Sequence, residues 1–250
     1  MNAVTPPSPN APVAAVIGGT RGLGRQLAVQ ARDAGLDTYV YGRSVHTMAP
    51  ADARGFVLRE LDLSDPASVD AADVDLPGPL HLFWVAGAFL KKPLVHTTDA
   101  EIEGLTSLLL TGPLRLLRRI LATAPASVHL VTIASSSGWR RRENESLYCA
   151  LKAAQAHVSR SLVPELVAAD PANRVTVINP GGLAVPDFHT GLEIDYGTMM
   201  DPAEVAGIIW RAAAEQSAPF QELQILRSRE PGAEGTPIVS HGPRVPEPPL

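Results

Sequence analysis

The chain predicts an α/β fold built on a doubly wound, mainly parallel sheet, and two observations carry that expectation. Short apolar runs alternate with helical stretches from residue 13 to residue 227, as repeated βαβ units require. Such units cross over right-handedly and cover both faces of the sheet, so ligands collect at the strands' carboxyl ends. The 250 residues suit one domain of this kind.

Residues 13–17, VAAVI, form a buried strand that stops at Gly18-Gly19, where a tight turn is wanted. Leu23, Leu27, Ala28 and Ala31 then recur at helical spacing, and Gly35 stands at the position of a left-handed C-terminal cap. Residues 38–41, TYVY, read as a second strand, followed by strands over Gly55–Leu61 and Leu80–Ala86. A long helical stretch spans Asp99–Ala122, a strand Ser127–Ala134, a helix residues 146–169 and a strand residues 174–178. Asp201-Pro202 opens a further helix as an N-cap followed by proline, and residues 222–227 supply a final strand. The expected organisation is a leader at 1–11, one domain over 12–229, and a Pro- and Gly-rich tail at 230–250 that is mobile or draped over a neighbour.

Composition excludes several classes of function. The formal net charge of −5 gives no basic face for broad attraction to nucleic acid. Cys149 is the only cysteine, so neither an internal disulfide nor a cysteine-based zinc site can form, and a reducing cytosol fits best. The opening MNAVTPPSPNAP lacks the pattern of a signal peptide. No apolar run approaches the roughly 20 residues of a membrane span, so no membrane partner is expected.

Gly18-Gly19-Thr20-Arg21-Gly22-Leu23-Gly24 ends the first strand and starts the first helix. Glycine at 18 permits the turn, at 22 close approach to a diphosphate, and at 24 close packing of helix on sheet, while the helix N-terminus faces the anion. The same turn without a ligand is the bland alternative. At the end of the second strand, where an NAD site places an acid, stands Gly42, followed by Arg43-Ser44. Arg21 and Arg43 can converge on a 2′-phosphate, which favours NADP(H).

Tyr148 and Lys152 lie four residues apart on one face of a helix. An ammonium beside a phenol favours the phenolate, and the charge of an oxidised nicotinamide adds to it, so Tyr148 can titrate nearer neutrality and act as general acid or base. Ser135 precedes Tyr148 by thirteen residues, at the end of an apolar run. Combined with the GxxxGxG spacing, these residues resemble the short-chain dehydrogenase/reductase family over about residues 12–227.

The resemblance implies a single Rossmann-type domain in which Ser135 polarises a carbonyl, Tyr148 transfers the proton and Lys152 holds the nicotinamide ribose. The cofactor would lie against Gly18, Thr20, Arg21, Gly22, Leu23 and Gly24, then Arg43 and Ser44. It would continue past Asp62 and Leu63 at the adenine, Ala86 and Gly87, and Pro180, Gly181 and Leu183 at the nicotinamide, meeting Tyr148 and Lys152. Asp62 as a helix cap is the rival reading. The implied activity is NADPH-dependent reduction of a small-molecule carbonyl, or the reverse oxidation, in a homodimer or homotetramer. An epimerase or dehydratase, or an NADP(H)-sensing protein, would differ in consuming no NADPH with ketones.

Three positions depart from the family. Trp84-Val85-Ala86-Gly87 replaces its usual NNAG, Val185 replaces a threonine, and Leu109 replaces an asparagine that supports a proton-relay water. Leucine can neither donate nor accept a hydrogen bond, so Thr106, one turn earlier, is the nearest group to bind a replacement water. Arg140-Arg141-Arg142 lies between Ser135 and Tyr148. As a solvated face it needs no partner, and as a binding feature it suits an acidic substrate or an acidic carrier protein, as Lys91-Lys92 does.

Overall fold

The computed structural model describes residues 11–124 and 126–242; the leader expected at 1–11 falls, apart from Ala11, outside them. One sheet runs through the molecule in the order β3-β2-β1-β4-β5-β6-β7-β8. Its strands are β1 (Val13–Ile17), β2 (Asp37–Gly42), β3 (Phe56–Glu60), β4 (Leu80–Trp84), β5 (Val128–Ile133), β6 (Arg174–Pro180), β7 (Phe220–Arg227) and β8 (Pro237–His241). The first seven pair in parallel. The order reverses between β1 and β4, which opens a crevice at their carboxyl ends.

Period-two alternation divides the apolar residues between two layers. Val13, Ala15 and Ile17 of β1 face a core completed by Leu116 and Ile120 of α5 (Gly112–Thr123) and by Ala156 and Leu166 of α6 (Ser146–Ala169). Ala14 and Val16 face the other core, with Leu23 and Leu27 of α1 (Gly22–Asp33) and Val205 and Ile209 of α7 (Pro202–Glu215). Fully burying side chains such as Leu27, Leu116 and Ile209 contributes about 2 kcal/mol each. Two short helices, α2 (Pro50–Ala53) and α3 (Pro66–Ala71), flank β3, and Val69 of α3 packs into the first core.

The terminators act as the sequence implies. Gly35 takes φ +86 directly after α1, and the Asp201 side chain accepts from the Ala203 N–H at the start of α7. Two regions differ from expectation. The helical stretch after Asp99 is not one α-helix: α4 (Asp99–Thr106) passes into a π-helical turn over Ser107–Thr111 before α5. Within the tail expected to be mobile or draped over a neighbour, Pro237–His241 form β8, which pairs antiparallel with β7, Arg227 opposite Pro237 and Leu223 opposite His241, while residues 243–250 lie outside the described residues. The β8 run PIVSH is short, but a sheet edge satisfies its backbone groups on one side.

Candidate active site

The crevice at the carboxyl ends of β1 and β4 is one continuous cavity of ≈ 1410 Å³. That exceeds the roughly 300–1,000 Å³ of a site for one drug-sized ligand. Every site residue expected from the sequence lines it except Asp62.

The glycine turn is packed too closely for side chains. A Cβ on Gly24 would lie 2.1 Å from the Gly18 carbonyl oxygen, and one on Gly18, at φ +92, would lie 2.6 Å from the Ala86 backbone. Gly22, at φ +52, is roofed by Val185, whose Cγ1 would stand 3.0 Å from an added Cβ. Thus Val185 packs on the turn by shape alone. Helix α1 begins with Arg21 making no side-chain cap bond and with no acid in its first turn. Its first N–H groups and positive dipole end are left to an anion. This cradle fits the diphosphate of a dinucleotide.

At the far end of the cleft, Gly42 abuts Thr20, whose Cγ2 would be 2.8 Å from any Cβ there. No carboxylate faces a ribose from this position. Arg21 and Arg43 both line the cleft, and each also faces a carboxylate. Arg21 faces Asp187 at 3.7 Å and Arg43 faces Asp62 at 3.9 Å, all four side chains being substantially exposed. Such pairs are weak and exchangeable. Asp62 itself is occupied: its Oδ1 accepts from the Ser64 backbone N–H at 2.8 Å and from the Ser64 hydroxyl. Partial burial pushes its pKa up, but the Ser64 bonds and Arg43 outweigh it and hold the carboxyl below its usual range. It does not cap α3, whose N-cap is Asp65.

The proton-transfer groups meet on the opposite wall. Ser135 lies two residues beyond β5, and its Oγ accepts from the Ser137 N–H at 3.0 Å, which fixes the side chain. Tyr148 and Lys152 project from successive turns of α6, the Nζ lying 5.9 Å from the phenol ring centre. Burial pushes the Tyr148 phenol up, against a smaller opposing effect of its hydrogen bond with Ser135. The direction is opposite to that expected from the lysine neighbour alone, because a ring 4 % exposed loses more hydration as phenolate than the Ser135 hydrogen bond returns. Burial likewise lowers Lys152 to about 7.

Lys152 Nζ donates to the Ile133 carbonyl at 3.0 Å and to Gln155 Oε1 at 2.8 Å. Gln155 Nε2 in turn donates to the Leu109 carbonyl at 2.7 Å. Thus Gln155 joins the lysine to the fourth-helix region through the Leu109 carbonyl. Sequence reading missed it because glutamine three residues after a lysine carries no local signal. The Leu109 side chain is fully buried and packs with Leu105, Tyr148 and Leu151.

Phe89 meets Tyr148 edge-on at 4.9 Å, and Phe188 stands 6.0 Å from Phe89. These rings form an apolar wall next to the phenol. Lys91, Arg140, Arg141, Arg142 and Arg229 line the cleft, whereas Lys92 is held by Glu101 at 2.8 Å. Trp84 is buried against the α5 side of the sheet, with its indole N–H unpartnered.

A dinucleotide cradle facing a buried serine, tyrosine and lysine defines an oxidoreductase-type site. Comparison with known families gives the same class: the model for short chain dehydrogenases matches residues 12–193. The chain belongs to the short-chain dehydrogenase/reductase family, a family of NAD(P)-dependent oxidoreductases. Among solved structures, a short-chain dehydrogenase from Streptomyces avermitilis is 25% identical, with TM-score 0.70 over 85% of this chain and 88% of that one. A blue fluorescent protein from a metagenomic library, in complex with NADPH, is 24% identical with TM-score 0.72, covering 86% and 96%. A short-chain dehydrogenase/reductase from Vibrio parahaemolyticus is 22% identical with TM-score 0.70, covering 86% and 100%. No curated protein matches the chain. Among the described residues no helix is long and apolar enough to cross a membrane.

Proposed function

We propose that the chain is a cytosolic NADPH-dependent ketoreductase, or alcohol dehydrogenase in reverse, acting on a small molecule. The observation that carries the reading is the convergence of Ser135, Tyr148 and Lys152 on a cleft whose other wall is the glycine turn. Ser135 donates a hydrogen bond to the substrate carbonyl, and Tyr148 gives its oxygen a proton. Lys152, anchored from behind, turns its remaining N–H toward the cleft and the ribose. NADPH, when bound, supplies the hydride. Phe89 and Phe188 form an apolar wall beside the phenol that favours an apolar substrate body.

Preference for NADPH is supported by Gly42, where a side chain would strike Thr20, and by Arg43 and Ser44 beside it. The Asp62 carboxylate near Arg43 is the group a 2′-phosphate would displace. The basic residues lining the cleft support an acidic or carrier-bound substrate. Assembly as a homodimer or homotetramer is part of the same reading.

The test is NADPH consumption with a panel of neutral and acidic ketones, together with dissociation constants for both cofactors. One NADPH consumed per ketone reduced, NADPH bound at least about ten-fold more tightly than NADH, and loss of that preference in Arg43→Asp are expected. Equal affinities would sink the cofactor assignment, and no consumption with any ketone would sink the activity.

A further inference from the structure

The helix break, the glutamine and the buried lysine form one chain of contacts. Pro113 has no N–H, so the carbonyl four residues earlier, that of Leu109, lacks its α-helical donor. The π-helical turn over Ser107–Thr111 accommodates this, with the Gly112 N–H bonding the Ser107 carbonyl. The Leu109 carbonyl points to α6, where Gln155 Nε2 meets it. The amide has only one workable orientation: the Leu109 carbonyl can only accept, so Nε2 faces it and Oε1 faces the lysine nitrogen. Both Gln155 and Leu109 are fully buried, and Lys152 is 3 % exposed.

This arrangement bears on proton supply. After Tyr148 has given its proton to a carbonyl oxygen, the phenolate must take one back. A relay through Lys152 would need, behind it, groups that accept and donate at the same atom, as water and hydroxyls do. Lys152 instead meets the Ile133 carbonyl and an amide that accepts at oxygen and donates at nitrogen. Neither passes a proton on.

We propose that Gln155 is a positioning residue that anchors the Lys152 ammonium and closes the protein side of the site to proton relay, so that Tyr148 is reprotonated by water entering through the cleft. The catalytic part of this inference rests on the oxidoreductase reading above. The anchoring part does not.

The chain has only three lysines, so nitrogen-labelled lysine NMR on the full-length protein resolves Lys152 directly. Gln155→Leu keeps the volume but removes the acceptor. The Lys152 pKa should then fall by about one unit or more, the effect of losing a hydrogen bond to a charged group. The acid limb of kcat/KM for alcohol oxidation should move upward, since a neutral amine no longer stabilises the phenolate. Gln155→Ala leaves room for a water, which needs about 30 Å³, and should bring both values back toward those of the unmodified protein.

An unchanged Lys152 pKa in a folded Gln155→Leu protein overturns the proposal. If that variant does not fold, a crystal structure of the unmodified protein decides: direct Lys152–Gln155–Leu109 contacts support it, and a water between Lys152 and the Leu109 carbonyl with Gln155 turned away refutes it. The NMR titration needs no substrate. A chain that reduces no ketone yet shows the Lys152 shift would lose the proposed activity and keep the anchor.

Discussion

At the scale of single residues, the division of labour in the cleft predicts how substitutions separate. In the proposed reading the Tyr148 hydroxyl would face the substrate while the glycine turn would hold the phosphates, on opposite walls of the cleft. Tyr148→Phe should therefore lower turnover about 10²–10⁴-fold, the usual worth of a general acid, with NADPH affinity changed less than about three-fold. Lys152→Ala should impair both. Stopped-flow rates and fluorescence titration check this, and near-normal turnover in Tyr148→Phe would mean different chemistry. The meeting of Ser135, Tyr148 and Lys152 in one cleft was legible because it depends on spacing along the chain. The importance of Gln155 was not, since it depends on a proline's missing N–H presented from 46 residues away. Arg21 and Arg43 were legible as cations, but spacing could not reveal that each faces a carboxylate.

At the scale of elements, strands β1 to β7 and most helices could be read from periodicity and caps, because local pattern and burial agree there. The π-helical turn could not, because apolar periodicity over Asp99–Ala122 is compatible with an unbroken helix. Gly112 is where that break meets the loop after β3: a Cβ there would lie 2.0 Å from the Leu63 carbonyl oxygen. Backbone against backbone leaves little room to relax. Gly112→Ala should destabilise the fold by about 2–3 kcal/mol, lowering Tm by roughly 5–10 °C for a chain of this size, despite alanine's better helix propensity. Calorimetry on the purified variant tests it, and an unchanged or raised Tm would mean that α5 can move away from the loop after β3. Strand β8 escaped notice because five residues among prolines and glycines show too little alternation; pairing with β7 overrides composition.

At the scale of the whole molecule, the sheet joins groups distant in sequence. His81 of β4 and His129 of β5 are register partners with ring centres 5.6 Å apart. Trp210 stands over His81, and Thr176 Oγ1 lies 2.8 Å from His129 Nε2. Burial, reinforced by His81, lowers the His129 pKa to about 4. The unfolded chain takes up that proton first, so this contribution to stability is complete above the ordinary histidine range and is lost as pH falls toward 4. Between pH 7 and 5 the loss is about 2 kcal/mol. Urea unfolding at both values should show a correspondingly smaller acid loss in His129→Gln, and identical losses in the two proteins would refute the assignment. The antiparallel course of β8 has a different consequence. Pro237 sits beside Arg227 at the cleft, but the chain then runs back to His241 beside Leu223, and β1 likewise starts from that far edge. Both ends of the described chain therefore emerge on the side away from nucleotide and substrate. A tether at Gly242 would present the open cleft to solution from a bead or an electrode, whereas one through Lys91 would bury the entrance against the support.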